Sequence, residues 1–319
     1  MITRNIYSIM QHFVIIIYLK NTKITTIHNI VNYYCAKMTY QQTVCKKEVI
    51  SGIGLHTGEM VKLVISPLKE DAGIIFKRSD ISTDNIIPAK FFNVINTKLC
   101  TEISNNSGIR VATIEHIMAA LWGMSIDNAL IEVSGPEVPA MDGSSKEFIN
   151  LIKKAGIKTQ SKKRKYLKIL DTIKVIDEDK EIVIRNANDF AIDFDIDFNH
   201  KSIGHQSYNL YDSTKFENEI GNARTFGFLS DVEFLKKKGF ARGASLDNSI
   251  GLNENGVVND GGLRCKNEFV KHKILDCVGD LFLSGYRIVG NVKASKAGHN
   301  LNNTILKKIF SNTDSYKII

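Results

Sequence analysis

His272 and Asp276 stand four residues apart in FVKHKILDCVGD, Phe269 to Asp280, and Asp280 follows four further on. At 100° per residue a helix would set His272 and Asp276 about 40° apart, with Asp280 about another 40° on, so the three would line one side. An imidazole nitrogen and a carboxylate oxygen at that spacing can share one ion of borderline softness, which suits zinc. Lys273 falls within about 20° of Asp280 by the same arithmetic, which would let that pair interact. The bland alternative is a solvated face opposite the apolar stripe Val270, Ile274, Cys277, Val278 and Leu281. A second piece is TIEHIMAAL, where Glu115 directly precedes His116 near a helix start. A hydrolytic zinc site needs three protein ligands, an open position for water and an unligated carboxylate as base; His116 and Glu115 would supply the two missing residues. An acid in a first turn also complements the helix dipole, and a histidine there can be a satisfied core residue. Two half-sites on corresponding helices of two similar halves fit better together than apart, so the residues point toward a zinc hydrolase.

Four loop positions join the candidates: His56 in GIGLHTG, Cys100 in TKLCT, Thr225 in ARTFGF and His299 in KAGHN. Loops carry functional groups on a rigid scaffold, although a cysteine in apolar surroundings is more often packing than chemistry.

The elements that must position these residues follow from the pattern. TIEHIMAALWGM, Thr113 to Met124, is predicted helical, with Thr113 as N-cap and Ile114, Ile117, Met118 and Leu121 as its apolar stripe. Strand NALIEV, the turn SGPEVPAMDG and helix SKEFINLIKKAG, closed by Gly156, come next. The charged run KTQSKKRK reads as a solvated linker that ends this half near Lys165. In AIDFDIDF the residues Ile192, Phe194, Ile196 and Phe198 alternate with Asp193, Asp195 and Asp197, the pattern of a half-buried strand with an acidic outer face. The order helix (Asn267 to Leu283), turn at Gly285, strand YRIVGNVKA, turn SKAGHN and helix NNTILKKIF repeats the order from Thr113 to Lys154. Two related units packed face to face, with a site between them, would account for that echo. The expected division is a first α+β domain over 38–160, a linker at 161–165 and a second α+β domain over 166–319.

Composition bounds the class. The chain has 319 residues, 43% hydrophobic and 24% charged, which is globular rather than disordered. An excess of 42 Lys and Arg over 34 Asp and Glu gives +8, compatible with a nucleic acid, an anionic surface or a phosphorylated small molecule. Aromatic residues are not interleaved with the basic ones and no helix-turn-helix or RNA motif is present, so no nucleic-acid partner is expected. Five cysteines (Cys35, Cys45, Cys100, Cys265, Cys277) without a CxxC pair point to a reducing compartment. FVIIIYL, Phe13 to Leu19, is far shorter than the roughly 20 apolar residues of a spanning helix. Residues 1–37 read as a poorly specified extension, with Met38 as a plausible true start.

Taken together and in order, GIGLHTG, TIEHIMAAL, SIDNALIEVSGPEVPAMDGS, NARTFGF, FVKHKILDCVGDLFLSG and KAGHNLNN resemble the UDP-3-O-acyl-N-acetylglucosamine deacetylases of lipid A synthesis, from about Met38 to Phe310. The resemblance implies an α+β fold of two similar layered βααβ-type domains with the active site between them, each carrying a small insert. It implies a cytoplasmic zinc amidase that removes acetate from a UDP-linked, 3-O-acylated N-acetylglucosamine, with one Zn2+ per chain, which Fe2+ could replace. Carried over by motif, the ligands are His116, His272 and Asp276, and Glu115 is the base. His299 is the cation that protonates the leaving amine, Asp280 charges and orients it, and Thr225 bonds the oxyanion. Lys273 holds substrate, Phe226 lies against it, Leu99 and Cys100 line its approach, and His56 joins the substrate-binding set. An apolar passage for the acyl chain is expected from the insert near 227–257. Two departures stand out: the family's GIGLHTG motif normally lies close to the N-terminus, and Phe240, Ala241 and Arg242 stand where they would bear on acyl length. A monomer is expected. The rivals are an amidase for a different N-acetyl sugar and a catalytically dead lipid- or nucleotide-binding protein.

Overall fold

The computed structural model describes residues 39–319, so the expectations for residues 1–37, for Phe13 to Leu19 and for a start at Met38 lie outside the described residues. Two five-stranded sheets carry the fold. The first contains β1 (Glu48–Ile53), β2 (Met60–Pro67), β3 (Ile74–Arg78), β4 (Ile86–Pro88) and β5 (Ala129–Val133), in the spatial order β1-β2-β5-β3-β4. The second contains β6 (Ile173–Asp177), β7 (Lys180–Arg185), β8 (Ala191–Phe198), β9 (Gly204–Leu210) and β10 (Asn291–Ser295), in the order β6-β7-β10-β8-β9. In both, the last strand in sequence inserts at the centre, antiparallel to the second strand and parallel to the third. The echo seen in the sequence is thus a shared topology.

Helices α1 (Glu115–Gly123) and α2 (Lys146–Ala155) flank β5 in the chain; α3 (Leu229–Lys237) belongs to an insert; α4 (Glu268–Leu281) and α5 (His299–Phe310) flank β10. α2 packs on β1 and β2, α4 on β8 and β9, and α5 on β6 and β7, while α1 and α4 meet at the centre. The result is four layers, sheet, helix pair, helix pair, sheet, within the unit Gln41–Ile319. Because α1 has neighbours on every side, all its residues from Glu115 to Trp122 are buried, polar ones included. β8 keeps its alternation: Ile192, Phe194 and Ile196 are buried, and Asp197 is exposed. Its aspartates find cross-strand partners: Asp193 accepts from Tyr211 at 2.8 Å, Asp195 from Ser295 at 2.7 Å, and Asp197 lies 3.5 Å from Lys296.

Three local expectations change. Thr113 is not an N-cap: its φ is +59°, and its hydroxyl donates to Glu137 at 2.9 Å instead of accepting from the helix. KTQSKKRK is not all linker, since Ile157–Lys163 is a strand paired with Tyr40–Val44, and Arg164 makes a two-pronged contact with Asp127 at 2.7 Å. YRIVGNVKA is two strands that part at Gly290: Arg287–Val289 pairs with Tyr166–Ile169, and Asn291–Ser295 crosses into the second sheet. Gly156 does close α2, at φ +72°.

Each half carries an insert. Val94–Asn96, Glu102–Ser104 and Arg110–Val111 form a small sheet in the first. Phe226–Phe228, Ile250–Asn253 and Gly256–Val257 form one in the second, with α3 beside it. Among the described residues no helix is long and apolar enough to cross a membrane.

Candidate active site

The packing of α1 on α4 closes the distance between the two half-sites. His116 Nε2 and His272 Nε2 lie 3.6 and 3.4 Å from Asp276 Oδ1, and the two imidazole rings meet edge to face at 5.1 Å. One donor atom from each of the three residues lies within 4.8 Å of the others, and all three side chains are buried. The solvated-face alternative for this side of α4 does not hold, because α1 covers it and His272, Asp276 and Asp280 are all buried. His272 Nδ1 is 3.1 Å from the Ala223 carbonyl, which can only accept, so this nitrogen carries the proton and Nε2 presents its lone pair to the cluster. Burial lowers the His272 pKa to about 4, leaving the ring neutral, the form that binds a metal.

Asp276 divides its two oxygens. Oδ2 accepts from Lys273 Nζ at 2.8 Å, whereas Oδ1 is buried without a hydrogen-bond partner among the described residues. Burial alone would raise the acid's pKa, but the cationic Lys273 and His299 beside it outweigh burial and hold the group well below the usual range. A charged, desolvated oxygen facing two imidazole nitrogens fits a bound cation, since its desolvation is otherwise uncompensated. The direct contact of Lys273 is with Asp276, and Asp280 acts on it only electrostatically, at longer range. Seven residues along a helix is a rise of about 10.5 Å, and Asp276 is one turn away.

Glu115 is buried beside this cluster, and burial raises its pKa, which makes the carboxylate a better base near neutrality. Its Oε2 accepts from the Thr101 N–H at 3.0 Å. Asp280 Oδ2 accepts from His299 Nδ1 at 2.7 Å and from Asn302 Nδ2 at 2.9 Å, and Oδ1 accepts from the Thr101 hydroxyl at 2.6 Å. Burial disfavours the His299 imidazolium, and its place at the start of α5 adds an unfavourable helix dipole. The Asp280 carboxylate outweighs these and lifts the pKa to about 9.

A cleft of about 780 Å³ opens over the cluster, walled by Leu99, Thr225, Phe226, Lys273, Asp276 and His299, among others. The Thr225 backbone is fixed on both sides: its N–H donates to Gly143 O and its carbonyl accepts from Ile250 N–H, each at 2.8 Å. Gly143 has φ +79°, and any side chain there would overlap the Asn248 carbonyl, so only glycine lets the loop approach. Phe226 packs edge-on to Phe198 and Phe269 at 5.6 and 5.0 Å. Two expected substrate contacts stand elsewhere. Cys100 is buried off the wall, and burial holds its thiol well above the ordinary range. His56 faces Phe240 at 6.2 Å, its ring nitrogens buried without partners among the described residues, beside the Glu137 carboxylate that accepts from its own N–H at 2.9 Å.

Thr101, Asn302, the Ala223 carbonyl and the Arg224–Glu268 pair were not anticipated. Helical spacing points to two of them: Asn302 is three residues after His299, and Glu268 is four before His272. Nothing local marks Thr101, whose partners lie 14 and 179 residues away.

The family model described as LpxC, UDP-3-O-acyl N-acetylglycosamine deacetylase, matches residues 41–311. A relative from Geobacter sp. (strain M21) is 45% identical over 283 residues, covering 88% of this chain and 92% of its own. Relatives from Syntrophotalea carbinolica and Haemophilus influenzae (strain PittEE) are 46% and 41% identical, each over 88% of this chain and over 91% and 93% of theirs. All three are named UDP-3-O-acyl-N-acetylglucosamine deacetylase. With its duplicated sheet topology, and with the His116, His272 and Asp276 cluster between the halves, this chain belongs to the UDP-3-O-acyl-N-acetylglucosamine deacetylase family.

Proposed function

We propose that this chain is a zinc amidase that hydrolyses the N-acetyl group of a UDP-linked, 3-O-acylated N-acetylglucosamine, releasing acetate and committing the sugar to lipid A. The observation that carries this reading is Asp276 Oδ1, without a hydrogen-bond partner among the described residues, facing two imidazole Nε2 atoms, with the Glu115 carboxylate adjacent. Donor atoms about 2.0–2.1 Å from a tetrahedral zinc stand about 3.4 Å apart, and the two spacings to Asp276, 3.4 and 3.6 Å, suit that geometry. Fe2+ suits two histidines and a carboxylate as well.

His116, His272 and Asp276 would hold the ion, which when bound supplies Lewis acidity toward water and the amide carbonyl. Glu115 takes the proton from the attacking water at Oε1, the oxygen that Thr101 leaves free. The Thr225 hydroxyl donates to the developing oxyanion, a contact typically worth about 3 kcal/mol. His299 holds a proton at Nε2, since Nδ1 is committed to Asp280, and delivers it to the leaving nitrogen. Four lysines of the cleft, Lys98, Lys180, Lys296 and Lys307, suit the diphosphate. α3 buries none of its residues and leaves Leu229 38% and Phe234 60% exposed, apolar surface that suits the acyl chain. The protein acts as a monomer in this reading, and the activity belongs in the cytoplasm.

The test is acetate release from the 3-O-acylated substrate and from UDP-N-acetylglucosamine, with metal content measured in parallel. We expect one zinc per chain and turnover only with the acylated sugar. Equal turnover of both, or an active His272→Ala protein, would overturn the proposal.

A further inference from the structure

We infer that Thr101 is a positioning residue that couples the base of one half of the molecule to the acid of the other; the inference rests on the roles proposed for Glu115 and His299. Thr101 is 1% exposed and spends all three of its polar groups at the junction. Its N–H donates to Glu115 Oε2 at 3.0 Å, its hydroxyl donates to Asp280 Oδ1 at 2.6 Å, and its carbonyl accepts from the Ile114 N–H at 3.4 Å, just ahead of α1. Glu115 stands on α1 and Asp280 on α4, so one residue of the first insert ties together carboxylates from both halves.

The two bonds sort the lone pairs. With Oε2 occupied, Glu115 has one oxygen for the proton of water. With Oδ1 occupied by Thr101, Asp280 has Oδ2 for His299 and Asn302, at 2.7 and 2.9 Å. A carboxylate lacking the Thr101 donor would keep a buried, unpaired oxygen and could satisfy it only by turning, which would draw His299 out of line. Leu99, two residues before Thr101, is on the cleft wall, so the same short segment meets substrate and both carboxylates. Thr101 itself moves no proton.

Thr101→Val keeps the size and the N–H but removes the hydroxyl. We expect kcat to fall about tenfold to a hundredfold, the scale of a misplaced catalytic group. KM and metal stoichiometry should stay within twofold, and Thr101→Ser should recover most of the lost kcat. Because the effect runs through Asp280, Thr101→Val added to Asp280→Asn should cost less than threefold more. A kcat within twofold of the parent, no recovery by serine, or fully additive losses would each overturn the inference. If the valine protein does not fold, Thr101→Ala in the Asp280→Asn background provides the same comparison. Failure of the underlying reading is separate: it would show as undiminished activity in Glu115→Ala or His299→Ala.

Discussion

Gly279 of α4 lies directly against the backbone of Glu115 on α1: a methyl group at Gly279 would overlap the Glu115 carbonyl oxygen and stand 3.1 Å from the Ala119 nitrogen. Absence of a side chain at this one position lets the helix carrying His272 and Asp276 come close enough to the helix carrying Glu115 and His116.

Gly279→Ala sets two effects against each other. Alanine favours a helix interior by roughly 1 kcal/mol over glycine, but overlap with backbone atoms forces the helices apart, typically at about 1–3 kcal/mol or more. The clash should win, because a backbone carbonyl cannot rotate away as a side chain can. We expect net destabilisation in urea unfolding and at least a tenfold lower kcat; a protein that is more stable and fully active would show that the two helices can slide without cost.

Removing the metal should be felt in stability as well as in rate. An ion that binds only the folded chain stabilises it by about 4 kcal/mol at a free concentration 1,000 times its Kd. Chelation should therefore lower Tm and abolish acetate release, and added zinc should restore both. In Asp276→Asn, chelation should leave Tm unchanged because little metal is held; an equal drop in parent and variant would point to a different binding site.

The His299–Asp280 pair gives a pH dependence of definite sign. The folded pKa of His299, about 9, lies above the ordinary 6.5, so the pair's contribution to stability is complete below 6.5 and is lost as pH rises through about 9. The proton-donating form disappears over the same range, so activity should have an alkaline limb that a metal cation held by His116, His272 and Asp276, as a nearby positive charge, would move somewhat lower. Asp280→Asn removes the main raising influence and should shift that limb further toward neutral pH, together with the His299 titration followed by NMR in the metal-free protein. A limb that does not move would assign it to another group.

Arg224 and Glu268 form a buried ion pair, 2.9 Å from Nε to Oε1, and Glu268 Oε2 also accepts from the Arg264 N–H at 2.6 Å. Arg224 sits between Ala223, whose carbonyl orients His272, and Thr225. Truncating Glu268 to alanine leaves a buried guanidinium unpaired, and we expect a loss of about 3–5 kcal/mol in urea unfolding. A loss below about 1 kcal/mol would mean that water reaches the arginine and replaces the carboxylate.

Much of the site was legible because helical periodicity is local. His272, Asp276 and Asp280 share a side for the same reason that Val270, Ile274 and Cys277 share another. Rise along the axis separates Lys273 from Asp280, which acts on it only at longer range, so its hydrogen bond goes to Asp276. Thr113 misled because a threonine before a helix is usually a cap, while here the buried Glu137 carboxylate competes for its hydroxyl.

The sequence by itself determined the two helical half-sites, the repeated order of elements and the alternation of β8, all set by spacings of two to four residues. The tertiary structure decided that the polar side of α4 is interior, that Asp276 keeps one oxygen without a partner among the described residues, and that Thr101 joins Glu115 to Asp280. Those outcomes depend on groups far apart in the chain that meet only when two sheets bury their helices against each other, and no local propensity records such a meeting.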